Sequence, residues 1–251
     1  MEWNFEGQFY SQSDPQDGEG HVYVPEGVKA WWCEGGWYQE LENGEVYSRP
    51  EYKPMSQFSY RIKEGSQSLR FFNTYKIHRA GIYMRAPAVA GSVYKFSSWI
   101  QVWTADAIEG NPPVSAGDPW NYGTRVGLDP LGGEDALSAD VIWSDWHGRD
   151  NWDAWLNHEV SVVAKASHIT CFVEARCKRS VKHNDVYIDN CILTGATPDP
   201  NPDPPPTDED VREVLLYTAD KAIEWGNGVR NILAPQTIGA KIMRKVRKFL
   251  Q

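Results

Sequence analysis

Through residue 196 the chain never runs far without a turn signal: PEG at 25–27, KEGS at 63–66, AVAGS at 88–92, EGNPP at 109–113 and PLGGED at 130–135. Glycine supplies positive φ and proline fixes φ while removing a donor, so each cluster ends a stretch of regular backbone. Between the clusters lie short alternating runs, candidate strands at 21–24, 28–33, 68–72, 80–88, 92–104, 124–128, 139–144, 158–165, 168–178 and 184–193. Many short strands with regular turns predict an all-β sandwich or jelly roll. The lack of intervening amphipathic helices argues against a parallel α/β sheet.

The segment TPDPNPDPPPTD at 197–208 holds six prolines, which favour extended polyproline II and forbid helix or sheet pairing. It divides the chain into a β domain at 1–196, a semi-rigid spacer at 197–207 and a tail at 208–251. The tail reads as two short amphipathic helices. Residues 208–227 carry six acids and two bases, whereas 230–251 carry six bases and no acid. Two short helices bury little area alone, so the tail is expected to need a protein partner, self-association or an anionic surface.

Strand side chains alternate between faces with period two. In FSSWIQVWTAD, Phe96, Ser98, Ile100 and Val102 form an apolar face, while Ser97, Trp99, Gln101 and Trp103 form the other. Elsewhere Tyr83 and Arg85 oppose Ile82 and Met84; Phe172, Glu174 and Arg176 oppose an apolar face; and His183, Asp185, Tyr187 and Asp189 oppose Val186 and Ile188. Flat rings beside planar hydrogen-bonding groups suit a sugar, whose C–H face stacks on an aromatic ring and whose hydroxyls pair with the polar groups. Trp99, Gln101 and Trp103 are therefore expected to form a ligand platform, unless loops or the tail cover that face. Tyr83, Arg85, Glu174, Arg176, His183 and Asp185 are expected to contribute, with Tyr75 and His78 at the rim. In WSDWHGRDNWDAW at 143–155, the four tryptophans either serve binding from a long loop or close one end of the sandwich.

Composition narrows the function. The chain has 12 Trp and 12 Tyr against 8 Phe, a bias toward half-wet aromatic surfaces. A net charge of −9 argues against general nucleic-acid binding. No apolar run approaches the roughly 20 residues that span a bilayer. The N-terminus, MEWNFEGQFY, lacks the features of a secretory signal. Cys33, Cys171, Cys177 and Cys191 show no metal-type spacing and read as buried free thiols.

The order of NFEGQF, SQSLRFFNTYKIHRAGIYMRAPAVAGSVYKFSSWIQVW and NDVYIDNCIL resembles carbohydrate-binding modules of the galactose-binding-like jelly-roll superfamily. The match covers most of 3–194, with departures at Met84, Ala90 and Asn190. The resemblance implies a jelly-roll sandwich, glycan binding and a structural calcium held by Glu6 and Asp189, with carbonyls near Gly65 and Ser66. Catalysis is not expected. No GxSxG or HExxH occurs, and the six histidines show no i, i+4 pair. A Glu174–Asp185 pair across one groove is the remaining hydrolase or lyase reading. The expectation is a non-catalytic glycan-binding module displayed through its tail on a larger assembly, virion-associated or extracellular, and cytoplasmic before assembly. A structural decoration protein without sugar affinity is the rival.

Overall fold

Each expected run carries a strand in a computed structural model that describes residues 1–12, 21–35, 45–118 and 121–196. The spacer and helical tail, 197–251, lie outside the described residues. In chain order the strands are β1 (Glu2–Trp3), β2 (Phe9–Ser11), β3 (Tyr23–Pro25), β4 (Lys29–Trp32), β5 (Glu51–Met55), β6 (Ser68–Asn73), β7 (Arg79–Pro87), β8 (Val93–Ala105), β9 (Tyr122–Asp129), β10 (Ile142–Trp143), β11 (Leu156–Val163), β12 (His168–Cys177) and β13 (His183–Gly195).

They pair antiparallel into two main sheets. Sheet I has the order β11-β8-β13-β6-β5, with β1 joining β13; sheet II has the order β10-β9-β12-β7-β4; and β2-β3 is a small ribbon. This is a jelly-roll β-sandwich. Its core lies between the inner faces that the alternation assigns: Phe96, Ile100, Val102, Leu69, Phe71, Val186 and Ile188 from sheet I meet Ile82, Met84, Val126, Leu128, Ile169, Cys171 and Val173 from sheet II. Fully burying each large aliphatic or aromatic side chain contributes about 1.5–3 kcal/mol. The four cysteines are free and buried. Burial pushes the Cys177 and Cys191 thiols up to about 12, which leaves them unreactive as nucleophiles.

Three strands escape the alternation. β1 and β2 are very short. β5 contains Pro54, and a proline in a strand demotes it to an edge position. The edge of sheet I is where β5 sits. On β13 the register with β8 slips between Asp189 and Ile192, a bulge at which Asn190 takes φ +46°.

Candidate functional site

The expected ligand residues do not converge. Trp99, Gln101, Trp103, His183 and Asp185 lie on the outer face of sheet I, whereas Tyr83, Arg85, Glu174 and Arg176 lie on the outer face of sheet II. The core separates the two sets, so Glu174 and Asp185 cannot act as a carboxyl pair across one groove.

The sheet I face is closed where a platform is expected. Arg61, only 2% exposed, lies over Trp103 at 5.4 Å and Tyr187 at 5.1 Å. Its guanidinium donates to Asp153 Oδ1 at 3.1 Å and Ser68 Oγ donates back to its carbonyl, which pins the loop in place. Trp103 packs with Met55, Tyr187 and Trp155 as a small second core, and Gln101 beside it is 2% exposed. Asp185 is buried and paired with Arg70, while His183 stacks on Trp103 at 4.1 Å. Desolvation raises the Asp185 carboxyl to about 6. Trp99 stays half-buried, with the Lys63 ammonium 3.9 Å over its ring. The expected platform is thus a covered face, because a distant loop supplies the cation that the rings stack on.

Tyr75 is exposed in the loop after β6 and touches neither face's cluster. His78 is fully buried in the core, donating or accepting with the Tyr122 hydroxyl at 2.8 Å, and does not rim a groove. Burial pulls its pKa down from 6.5 to about 3. The unfolded chain therefore takes up a proton near pH 6.5 that the folded chain refuses, so this stability is full above 6.5 and drains as pH falls. Between pH 6.5 and 5 the loss from this one residue is about 2 kcal/mol. A His78→Phe variant, although it gives up the Tyr122 hydrogen bond, should lose about 2 kcal/mol less across that interval. Urea unfolding at the two pH values measures this, and an equal loss in both proteins would refute the assignment.

Sheet II presents a different surface. Cross-strand register sets three rows over β7, β12 and β9: Arg79, Arg176 and Gly123; then Gly81, Glu174 and Arg125; then Tyr83, Phe172 and Gly127. Adjacent strands are about 5 Å apart and same-face neighbours about 7 Å, so the grid spans roughly 10 by 14 Å. At two of the three glycines a tryptophan occupies the space a side chain would need: a Cβ on Gly123 would lie 2.9 Å from Trp146 and one on Gly127 2.6 Å from Trp143, whereas one on Gly81 would first meet the Val173 carbonyl.

Glu174 anchors the grid. It is fully buried and accepts Arg79 Nε at 2.6 Å on one oxygen and Arg125 Nε at 2.7 Å on the other. Arg125 in turn lies 4.1 Å from both the Trp143 and Trp146 rings, and Arg176 stacks 4.1 Å over Trp146. Trp143, Arg125, Trp146 and Arg176 thus form a ladder of alternating rings and guanidiniums, all half-buried. Such stacking contributes about 0.5–2 kcal/mol per contact, rising with desolvation. At the far end the 130–141 loop closes the face, with Ala136 and Val141 packed on Phe172 and with Trp31, Tyr83 and Trp143 packed against that cluster. Tyr83 there donates to Glu134 at 2.9 Å, and Arg85 Nε donates to the Gly132 carbonyl at 3.2 Å.

The four tryptophans of 143–155 divide between two surroundings. The segment crosses the sandwich edge from β10 in sheet II to β11 in sheet I. Trp143 and Trp146 join the ladder; Trp152 packs on the main core and Trp155 on the second. Trp31, Arg79, Arg125, Trp143 and Trp146 are the residues of this face that alternation on single strands does not single out.

Glu6 and Asp189 do meet through one loop. Glu6 Oε1 accepts the Ser66 and Gln67 amides at 2.9 and 3.2 Å, and its Oε2 accepts the Ser66 hydroxyl at 2.5 Å. Asp189 Oδ2 accepts the Lys63 and Glu64 amides at 2.9 and 3.2 Å, and Oδ1 accepts the Asn190 amide. The loop offers these carboxylates amide donors where the resemblance implies carbonyl ligands. No cluster of three or more His, Cys, Asp or Glu suited to a metal occurs among the described residues. A separate cavity of about 230 Å³ at the sandwich edge is lined by Trp3, Asn4, Gln8, Tyr10 and Glu26 among others.

The sequence matches no family model and no curated protein. Several solved structures are similar in fold. A CBM61 module in complex with β-1,4-galactotriose is 12% identical at a TM-score of 0.45, the match covering 68% of this chain and 90% of that one. The CBM22-1 xylan-binding domain of Paenibacillus barcinonensis Xyn10C is 10% identical at 0.41, over 79% and 95%. Tailspike protein 4 of bacteriophage CBA120 is 9% identical at 0.43, over 68% of this chain and 20% of that one.

Proposed function

We propose that the chain is a non-catalytic glycan-binding module whose site is the outer face of sheet II, at the Trp146 end, with Trp143 beside it. The observation that carries this is the ladder itself: two indole rings held half-buried over two strand glycines, Gly123 and Gly127, with the Arg125 guanidinium between them and that of Arg176 on Trp146. A merely solvated sheet face has no need of rings fixed in this way. Half-exposed rings offer the flat apolar surface a pyranose stacks on, and the arginines offer hydroxyl-binding donors in a preset plane. A glycan-array screen of the full chain tests this. Binding without release of reducing ends is expected; binding to no glycan would favour the purely structural reading, and chain scission would make the protein an enzyme.

Display through the tail belongs to the same proposal, supported by the opposite charges of 208–227 and 230–251. We further propose calcium at Glu6 and Asp189. Two carboxylates share one loop, burial raises Asp189 to about 6 with Glu6 adding to it, and Glu6 Oε2 and Asp189 Oδ1 each accept a single donor, which leaves each a lone pair. Bound there, calcium would fasten the 63–67 loop to the first and last strands. Chelation should then lower the melting temperature of the wild type and leave Glu6→Gln unmoved. A chelator that shifts neither protein would remove calcium from the account.

A further inference from the structure

The edge cavity of about 230 Å³ shares no residue with the sheet II grid, and its walls are fixed by the chain itself. One wall is the segment that follows β1. There Gln67 Nε2 donates to the Phe5 and Gly7 carbonyls at 2.7 and 2.8 Å, and Phe5 is held at φ +59°. A second wall is the turn from β3 to β4, closed by the Val28 amide donating to the Pro25 carbonyl at 3.2 Å, with Gly27 at φ +77°. A side chain at Gly27 would be strained and would come within 3.7 Å of Trp3 Nε1, so glycine lets the turn lie close to the indole. The concavity is therefore present before any ligand arrives.

The lining has the chemistry of a cation site. Phe5 and Val28 are buried and contribute apolar surface, while half-buried Trp3 and exposed Tyr10 border the cavity with aromatic rings. Glu2 and Glu26 are both exposed, and among the described residues neither carboxylate has a hydrogen-bond or ion-pair partner. No lysine, arginine or histidine lines the cavity. Elsewhere the chain supplies its own cations to its indoles: Lys63 over Trp99 at 3.9 Å, Arg125 over Trp143 at 4.1 Å and Arg49 over Trp32 at 5.6 Å. Among the described residues no such cation lies over Trp3. An ammonium that keeps its N–H groups needs an acceptor for each, which apolar surface does not offer. A methylated nitrogen has no donor to satisfy and suits ring faces, with carboxylates meeting its charge. A cavity of about 150 Å³ holds a benzene ring, so this one admits a trimethylammonium head with a short chain.

We infer that the edge cavity binds a small quaternary ammonium compound, its methyl groups against the Trp3 and Tyr10 rings and its charge met by Glu2 and Glu26. The site stands independently of the glycan reading, since the two share no residue.

Choline and 3,3-dimethyl-1-butanol, the same skeleton with carbon in place of the charged nitrogen, test it when titrated into the full chain while the Trp3 indole N–H signal is followed. Choline should shift Trp3 and bind about tenfold or more tightly than the neutral isostere. The Glu2→Gln, Glu26→Gln double variant should bring choline down to the affinity of the isostere, and Tyr10→Ala should weaken choline without the same loss of charge. Glu109→Gln, which removes an exposed carboxylate outside the cavity, should leave the affinity unchanged, with circular dichroism melts confirming that the variants fold. Equal affinity for the two compounds, no Trp3 shift with choline, or a double variant that still binds choline like the wild type would overturn the inference. Choline shifts at Trp143 or Trp146 in place of Trp3 would overturn it as well.

Discussion

Replacing Glu174 by alanine should lower stability by about 3–5 kcal/mol, because it removes a buried carboxylate that two largely buried guanidiniums share. Arg79 and Arg125 each expose 16% of their side chains, so solvent cannot take over the lost contacts. For a domain of this size that loss corresponds to a melting temperature lower by on the order of 10 °C. Glu174→Gln keeps the shape and one acceptor oxygen and should fall between the two. Calorimetry on the three proteins measures the series. An unchanged midpoint for Glu174→Ala would mean the arginines reorganise freely and the grid is not a fixed platform.

The second large effect is on binding. Trp146→Ala removes the ring that both Arg125 and Arg176 stack on and opens the space above Gly123. It should weaken glycan affinity by about 10–100-fold, the equivalent of roughly 1.5–3 kcal/mol of stacking and lost preorganisation. Stability should change far less, since Trp146 is half-buried and belongs to no buried apolar cluster. Titration of the array-selected glycan against wild type and variant gives the ratio. A Trp146→Ala protein that binds like the wild type would move the site elsewhere.

Period-two alternation was enough to sort inward from outward side chains on β7, β8, β12 and β13, because that sorting is local geometry. Which outward face lies open is a long-range property. Trp99 and Trp103 read as a platform on their strand alone. What closes the face is Arg61, far away in sequence, held by Asp153 and by Ser68 at the start of β6. The sheet II face carried a signal of another kind. In YGTRVGLD, Gly123 and Gly127 flank Arg125 on one side of β9, and glycine inside a strand marks close approach of another group. The approaching groups are Trp146 and Trp143, which the sequence places in a loop with no hint of direction. β5 was hidden by Pro54, whose presence fits an edge strand and weakens any strand assignment made without the sheet. The charge pairing around Glu174 needs three strands in register, which no single run shows.

The most direct test of the sheet II site reads the indole N–H signals of the full chain, labelled with 15N-tryptophan and assigned by single substitutions, as the array-selected glycan is added. The account predicts shifts at Trp143 and Trp146, with Trp99 and Trp103 unmoved beneath Lys63 and Arg61. Shifts confined to Trp99 and Trp103, or to Trp3 at the edge cavity, would contradict it.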